Sequence, residues 1–306
     1  MGDFNRAYAQ VFVPGRLTVG VMTPMQGEPG VAADIGTALR QARLADALGF
    51  AALWTRDVPL MIPQGSANET AALDDPFLWL AALAAATERV VLATGAIVLP
   101  LRHPLHVAKS ALSLDRISGG RLLLGLGSGD RPEEFARFGL DLDTRDAVFR
   151  DHWAAVRAAL EPGVATDDGQ YRVLPPPRAR IPMLAVGSAR QSLQWIAEHA
   201  DGWASYHREE DRQKGRIALW QMALDQRSAG QRKPFIQSVQ LDLLDDPAAP
   251  AEAIELGLRS GRHALAAYLG RMRELGVAHI LFNLQRGARP VEDVLRELGA
   301  DVLPRL

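Results

Sequence analysis

Three stretches of this 306-residue chain combine residue types that could bind or transform a ligand. Gly187-Ser188-Ala189-Arg190-Gln191-Ser192 follows an apolar run and precedes a helical pattern. Successive backbone N–H groups, the Ser188 hydroxyl and the positive end of a helix would together suit a phosphate. The same residues also read as a plain helix N-cap at Ser188. Arg286-Gly287-Ala288-Arg289, after the last apolar run, offers two guanidinium groups for a rival phosphate site, or else a solvated turn before a helix at Pro290. Gly125-Leu126-Gly127-Ser128-Gly129-Asp130 is glycine-rich, but the third glycine of a dinucleotide fingerprint is missing and no helix starts promptly. A loop in close approach to a ligand suits it better.

Acid–base and metal chemistries leave no comparable trace. The apolar runs end in Thr23-Pro24-Met25, Trp54-Thr55-Arg56-Asp57, Gly95-Ala96, Gly125 to Asp130, Gly187-Ser188, Ser205-Tyr206, Gln240 and Asn283 to Gln285, a set poor in His and Glu. It offers no carboxylate pair, no clustered histidines and no Ser-His-Asp arrangement. The chain has no cysteine, which removes thiolate nucleophiles, thiolate metal sites and redox dithiols. Such a set points to chemistry carried by a cofactor, and no metal site is expected.

The elements that must position these residues are legible in the hydrophobic pattern. Short apolar, β-branched runs span Leu17–Met22, Ala51–Thr55, Val90–Val98, Arg121–Leu126, Pro182–Val186, Gly202–Ser205, Phe235–Leu241 and Val277–Asn283. Helical patterns separate them, as in Val107, Ala111, Leu114 and Ile117, or Leu265, Leu269, Met272 and Leu275. Leu48-Gly49-Phe50, Gly119-Gly120-Arg121 and Leu275-Gly276-Val277 read as glycine helix stops that release the next strand. LGFAALWT at 48–55 and LGVAHILF at 275–282 repeat one helix–glycine–strand unit at both ends of the chain. The pattern predicts an α/β fold of the (β/α)8 TIM-barrel class, with loop insertions at the carboxyl-terminal face where barrels keep their reactive groups.

A single domain over 1–306 is expected, because no linker or composition shift divides the chain; the prolines at 175, 176, 177 and 182 read as a rigid loop. The net charge of −2 argues against nucleic acid or an anionic membrane as partner. No apolar run approaches the ~20 residues of a membrane span, and MGDFNRAYAQ lacks the order of a secretion signal, so a cytoplasmic protein is expected. All of the 34 basic residues except Lys109, Lys214 and Lys233 are arginine, which reads as genome composition. The length exceeds the ~250 residues of a typical barrel. The surplus falls in the connections Arg56–Asp75, Gly127–Thr144, Glu161–Ile181 and Asp242–Arg262, read as lid and pocket wall.

The runs ATGAIVLPLRHP (93–104), SLDRISGGRLLLGLGSG (113–129) and FARFGLDLDTR (135–145), with VGSARQSLQWIAEHADGWAS (186–205), resemble the bacterial luciferase-like flavin-dependent oxidoreductases. The resemblance implies a (β/α)8 barrel holding flavin mononucleotide (FMN), or a deazaflavin coenzyme in some branches, in its carboxyl-end mouth. It places a bulge with a non-prolyl cis peptide behind the flavin ring at Gly95–Ala96. It puts Gly187, Ser188, Ala189 and Arg145 at the flavin phosphate, with Gln191 as a further donor, Ser128 in the loop that closes over it and Tyr206 alongside the ring. An arginine at the first turn of a helix is poorly placed toward the dipole, which agrees with an anion near Arg145.

Two departures bear on the reaction. Luciferases place a histidine base at the end of the second strand, where Arg56 and Asp57 stand here. These two become the catalytic candidates, to orient a substrate, or else a mutual surface ion pair. The cysteine some luciferases carry after the fourth strand is Gly127, so light emission is not expected; His103 beside Pro104 reads as a helix start. The resemblance implies a monooxygenase using reduced FMN and dioxygen on a small organic substrate, with a separate flavin reductase. Deazaflavin-dependent hydride transfer, a flavin-binding protein with little turnover, and a flavin-free barrel binding phosphate through Arg286 and Arg289 are the alternatives. A homodimer through the second and third barrel helices is also implied, with Leu80 to Ala86 as a small-residue face.

Overall fold

The computed structural model describes residues 4–28, 30–60, 73–162 and 173–306. In chain order the elements are α1 (Arg6–Val11), β1 (Thr18–Met22), α2 (Ile35–Leu48), β2 (Ala52–Thr55), α3 (Pro76–Ala86), β3 (Val91–Thr94), β4 (Ile97–Val98), α4 (Pro104–Ser118), β5 (Leu122–Gly127), α5 (Pro132–Arg137) and α6 (Arg145–Leu160). There follow β6 (Met183–Val186), α7 (Leu193–His199), β7 (Gly202–Tyr206), α8 (Glu210–Arg227), β8 (Phe235–Leu243), β9 (Glu252–Ile254), β10 (Gly257–Ser260), α9 (Arg262–Glu274), β11 (Val277–Asn283) and α10 (Val291–Glu297). The parallel order β11-β1-β2-β3-β5-β6-β7-β8 closes on itself through β8 and β11. This is the expected (β/α)8 barrel.

Seven of the eight expected runs form single strands, within one or two residues at their ends. The eighth, Val90–Val98, breaks into β3 and β4. β3 pairs β5 through Leu92–Leu122 and Ala93–Leu123, and β4 resumes at Ile97–Leu126 and Val98–Gly127. Between them the Gly95–Ala96 peptide is cis. The Thr94 hydroxyl stands in for the missing rungs, donating to Gly125 O at 2.8 Å and accepting from Gly125 N at 2.9 Å.

Alternation along each strand sorts side chains between two cores. Met22, Ala52, Trp54, Val91, Ala93, Leu123, Leu184, Ala204, Ile236 and Leu281 fill the barrel. Val19, Val21, Leu53, Leu92, Leu124, Ala185, Val239, Ile280 and Phe282 pack outward under the helices. The interior also carries His279, wholly buried, whose Nε2 accepts the Trp54 indole N–H at 3.0 Å. Indole only donates, so the neutral ring carries its proton on Nδ1. Nδ1 then donates to Thr18 Oγ1 at 2.7 Å, and that hydroxyl donates to Val11 O at 2.7 Å. Gly20 makes room for the imidazole, since a Cβ there would lie 2.8 Å from Nε2.

Helix ends follow the sequence signals. Gly49 and Gly119 hold the left-handed stop at φ +86° and +71°. His103 caps α4, its Nδ1 accepting from Leu105 N at 3.3 Å ahead of Pro104.

The surplus length is divided between the two ends of the barrel. The stretch after β8 forms the hairpin β9–β10, with β10 parallel to the end of β8, so it is a rim element at the carboxyl face. Glu161–Ile181 instead returns from α6 to the amino end of β6, where Phe4 bridges Arg180. That connection is therefore not a mouth wall, a correction that follows from helix-to-strand loops lying opposite the active face. Its residues 163–172, and 61–72 of Arg56–Asp75, lie outside the described residues.

Candidate active site at the barrel mouth

Strand parity decides which side chains reach the mouth. On β2, Ala52 and Trp54 point inward, so Arg56 also faces the mouth and Asp57 faces outward. On β3, Ala93 points inward and so does Gly95; on β7, Ala204 and hence Tyr206 do; on β8, Ile236, Ser238 and Gln240 do. Across residues 90–100 every position is buried except Gly95 and Ala96, which are half-buried. Tyr206 is 53% exposed although the rest of β7 is buried. The mouth-facing ends of the described strands thus hold no His or Glu, and their one carboxylate, Asp242 at the end of β8, is taken by Arg259 at 2.7 Å.

The break in the third run gives the mouth a flat patch nearly free of side chains. Gly95 lies over the Trp54 ring, where a Cβ would come within 3.1 Å of the indole. A Cβ on Gly125 would lie 2.0 Å from Thr94 O, and one on Gly127 would lie 3.2 Å from the Ala96 methyl. Glycine is what lets these backbones pack so closely. Asp57 braces the patch from behind. Its N–H donates to Ala96 O at 3.2 Å, and its carboxylate accepts from Val98 N at 3.1 Å. Both carboxylate oxygens are also held by Arg102, at 2.7 and 2.8 Å, and Arg102 reaches Asp75 at 2.9 Å. Asp57 is 6% exposed and Arg56 takes no part in this cluster. The mutual surface ion pair does not form, because adjacent residues of a strand face opposite sides.

Across the barrel, β6 ends in a turn with φ values of +67°, +46° and +56° at Gly187, Ala189 and Arg190. The helix that follows starts later than expected. α7 opens at Leu193 and is capped by Ser192, whose hydroxyl accepts from Trp195 N at 3.2 Å. Neither the N-cap at Ser188 nor the helix dipole behind it is present. The turn itself binds inward: Gly187 N donates to Ala204 O, Gln191 N to Ser188 O, and Arg190 N to Ser188 Oγ. The N–H groups of Ser188 and Ala189 take no acceptor from the described residues.

Gln191 is engaged in place, its amide donating to Asp146 O at 2.9 Å and Ala189 O at 3.2 Å. It ties the turn to the start of α6, where Arg145 stands. Arg145 donates through Nη1 to Leu142 O, and its buried Nε has no partner. Free backbone donors and an orphaned guanidinium nitrogen on the two sides of one contact fit an anionic group. Together with the glycine patch they fit a planar ring carrying a phosphate. Ser128 ends buried just past β5, in the loop that leads to Arg131 and α5.

The rival phosphate site is filled by carboxylates. Arg289 pairs with Asp245 at 2.8 Å and with Glu297 at 2.7 Å, and Arg286 pairs with Glu255 at 2.9 Å. Among the described residues no three acidic or histidine side chains converge as a metal site.

Arg56 reaches over the mouth, with Nη2 donating to Gln285 Oε1 at 3.2 Å; Gln285 is held in turn by Pro24 O at 2.8 Å. Burial pushes its pKa below the usual arginine range, with Tyr206 opposing and Arg131 reinforcing the shift. Partial loss of solvation within the mouth raises the Tyr206 hydroxyl, helped by Asp130, so it remains a protonated donor at neutral pH. Gln285 stood among the strand ends without a role, and nothing marked Arg131 or the Trp54–His279 pair; period-2 parity places Trp54 and His279 inside, but their pairing needs the closed barrel.

No described helix is long and apolar enough to cross a membrane. The luciferase-like monooxygenase family matches residues 11–290. An uncharacterised protein of Mycobacterium tuberculosis (strain ATCC 25618 / H37Rv) is 34% identical over 194 residues, covering 60% of this chain and 67% of that protein. Two solved structures share the fold at 16% identity. An F420-dependent secondary alcohol dehydrogenase, in complex with an F420-acetone adduct, has a TM-score of 0.74 over 94% of this chain and 98% of that one. The oxygenating constituent of 3,6-diketocamphane monooxygenase from Pseudomonas putida, in complex with FMN, has a TM-score of 0.70 over the same shares. With the family match spanning nearly the whole chain and the barrel, the broken third strand and the mouth in place, the chain belongs to the luciferase-like monooxygenase family and is an oxidoreductase enzyme.

Proposed function

We propose that the protein is a flavin-dependent monooxygenase using reduced FMN and dioxygen on a small organic substrate. The observation that carries this reading is a mouth whose strand ends hold no His, Glu or unpaired Asp among the described residues, set between a flat glycine patch and a donor-rich turn. Reduced FMN, when bound, supplies the electrons for oxygen activation, which the side chains here do not.

The chain's own residues bind, orient and exclude water. Gly187, Ser188 and Ala189 with Arg145 hold the phosphate, and Gly95, Ala96 and Gly127 support the ring. Tyr206 closes the opposite side of the mouth as a neutral donor. The aromatic and aliphatic plug of Trp54, Ala93, Leu123 and Leu281 beneath keeps water from entering through the barrel. A separate reductase delivers the reduced flavin, and residues 1–306 act as one unit in the cytoplasm, as a homodimer.

A deazaflavin-dependent hydride transfer is the second reading, favoured by the close fold match to the alcohol dehydrogenase that carries such an adduct. Titration of the purified protein with FMN and with a deazaflavin separates the two. FMN fluorescence is expected to be quenched, and Arg145→Ala to weaken FMN binding by about 10-fold, the scale of one charge-assisted hydrogen bond. Binding of the deazaflavin alone selects the second reading, and binding of neither rejects both. Oxygen uptake coupled to product, rather than to peroxide alone, separates an oxygenase from a binding protein with little turnover.

A further inference from the structure

Two arginines, Arg121 buried and Arg56 half-buried, are treated in opposite ways. Arg121 is 3% exposed, and all five of its N–H donors are used: Nε on Ser118 O, Nη1 on Thr87 Oγ1 and Val90 O, Nη2 on Ala84 O and Thr87 O, at 2.7 to 3.0 Å. Arg56 makes one such bond, to Gln285, and its Nε is buried without a partner. Among the described residues no carboxylate lies within ion-pair distance of Arg56. The charged group next to it, Arg131, is of like sign. A guanidinium whose Nε is shielded from water and left without a partner is costly, and such a group suits a site where a ligand brings the missing anion.

The position of Arg56 says which ligand. It rises from β2, beside the Gly95–Ala96 patch on β3. The donor turn at Gly187–Ala189 is on β6, three strands further round the barrel. A group bound to the turn and lying on the patch directs its phosphate away from Arg56, so the anion that Arg56 awaits belongs to the other reactant. The geometry points to a substrate that carries a carboxylate, held by Arg56 through Nε and Nη and positioned over the patch. Gln285 fixes the plane of the guanidinium, and the flat two-donor edge matches a carboxylate. This inference rests on the proposed oxidoreductase reading of the mouth, and assigns Arg56 as the residue that selects the substrate class.

Calorimetric titration with benzoate against benzamide, and hexanoate against hexanamide, tests it, with and without FMN. At least one acid should bind wild-type protein 10-fold or more tighter than its amide. Arg56→Gln should cut that preference below 2-fold, and Arg56→Lys should retain part of it. Equal binding of acids and amides by wild type, or an undiminished preference in Arg56→Gln, overturns the inference. So does loss of FMN affinity in Arg56→Gln with no change in acid preference, which would give Arg56 to the cofactor. Thermal melting supplies a second readout. Removal of a half-buried cation with no counter-charge should raise the midpoint of the ligand-free protein, whereas a fall would assign Arg56 a structural role. If FMN fails to bind but the acid preference holds, the flavin reading fails and this one stands.

Discussion

His279 shows how one residue couples the barrel interior to pH. Burial holds its imidazole down to about 3, against an ordinary value of 6.5. A base whose folded pKa is depressed contributes stability that is complete above 6.5 and is lost as pH falls toward 3, because the unfolded chain takes up a proton that the folded one refuses. The urea midpoint of wild-type protein should therefore fall between pH 6.5 and pH 4 more steeply than that of His279→Gln. The glutamine can still accept from Trp54 but has nothing to titrate, so equal slopes would reject the buried neutral state. Arg56 and Asp57 make the complementary point. Both were candidates by position alone, and parity separates them: one reaches the mouth, the other becomes the brace behind the patch with Arg102.

At the scale of elements, the broken third strand decides the shape of the site. β3 leaves β5 after Ala93 and β4 rejoins it at Ile97, with Thr94 and Asp57 replacing backbone rungs by side-chain bonds. The contact tolerates no added atom at Gly125, where a Cβ would lie 2.0 Å from Thr94 O. Gly125→Ala is expected to destabilise the protein by about 1–3 kcal/mol, the scale of overpacking, measured by urea unfolding. Gly15→Ala meets nothing within 4 Å but takes a positive φ of +75°, so its cost is conformational only and serves as the control. An equal effect at both sites would show that close approach is not what Gly125 provides. The run Val90–Val98 was legible as strand, and Gly95-Ala96 as its special point through resemblance. The late start of α7 was not legible, because Ser188 and Ser192 are both good caps and only the positive φ values at Ala189 and Arg190 between them choose the second.

For the whole molecule, the outer face of α3 is where one copy would meet another. Leu80, Leu83 and Ala84 turn inward and are buried, and Ala81 packs against the same core, which removes four of the seven residues of the expected small-residue face. Ala85 remains exposed and Ala82 and Ala86 half-buried, beside Leu78, which is 73% exposed. A patch of this kind suits a close helix contact. Light scattering at micromolar concentration should return a mass near twice 33.2 kDa, and Leu78→Arg should reduce it to one copy. A monomeric mass for the unaltered protein would reject the dimer.

The strand runs, their helix stops and the scarcity of His and Glu at the strand ends were readable from the residues alone, since periodicity and residue type are local properties. It also marked Gly187 to Ala189, Arg145 and Gly95–Ala96 through the family resemblance. Which of the marked groups are left free for a ligand follows from the folded contacts. Arg286 and Arg289 are spent on carboxylates up to 44 residues away in sequence, Gln191 on α6, and Asp57 on Arg102, while Arg56 and Arg145 keep buried nitrogens without partners. Availability for a ligand depends on what the fold brings within hydrogen-bond distance, and closing a barrel joins residues as distant as Trp54 and His279.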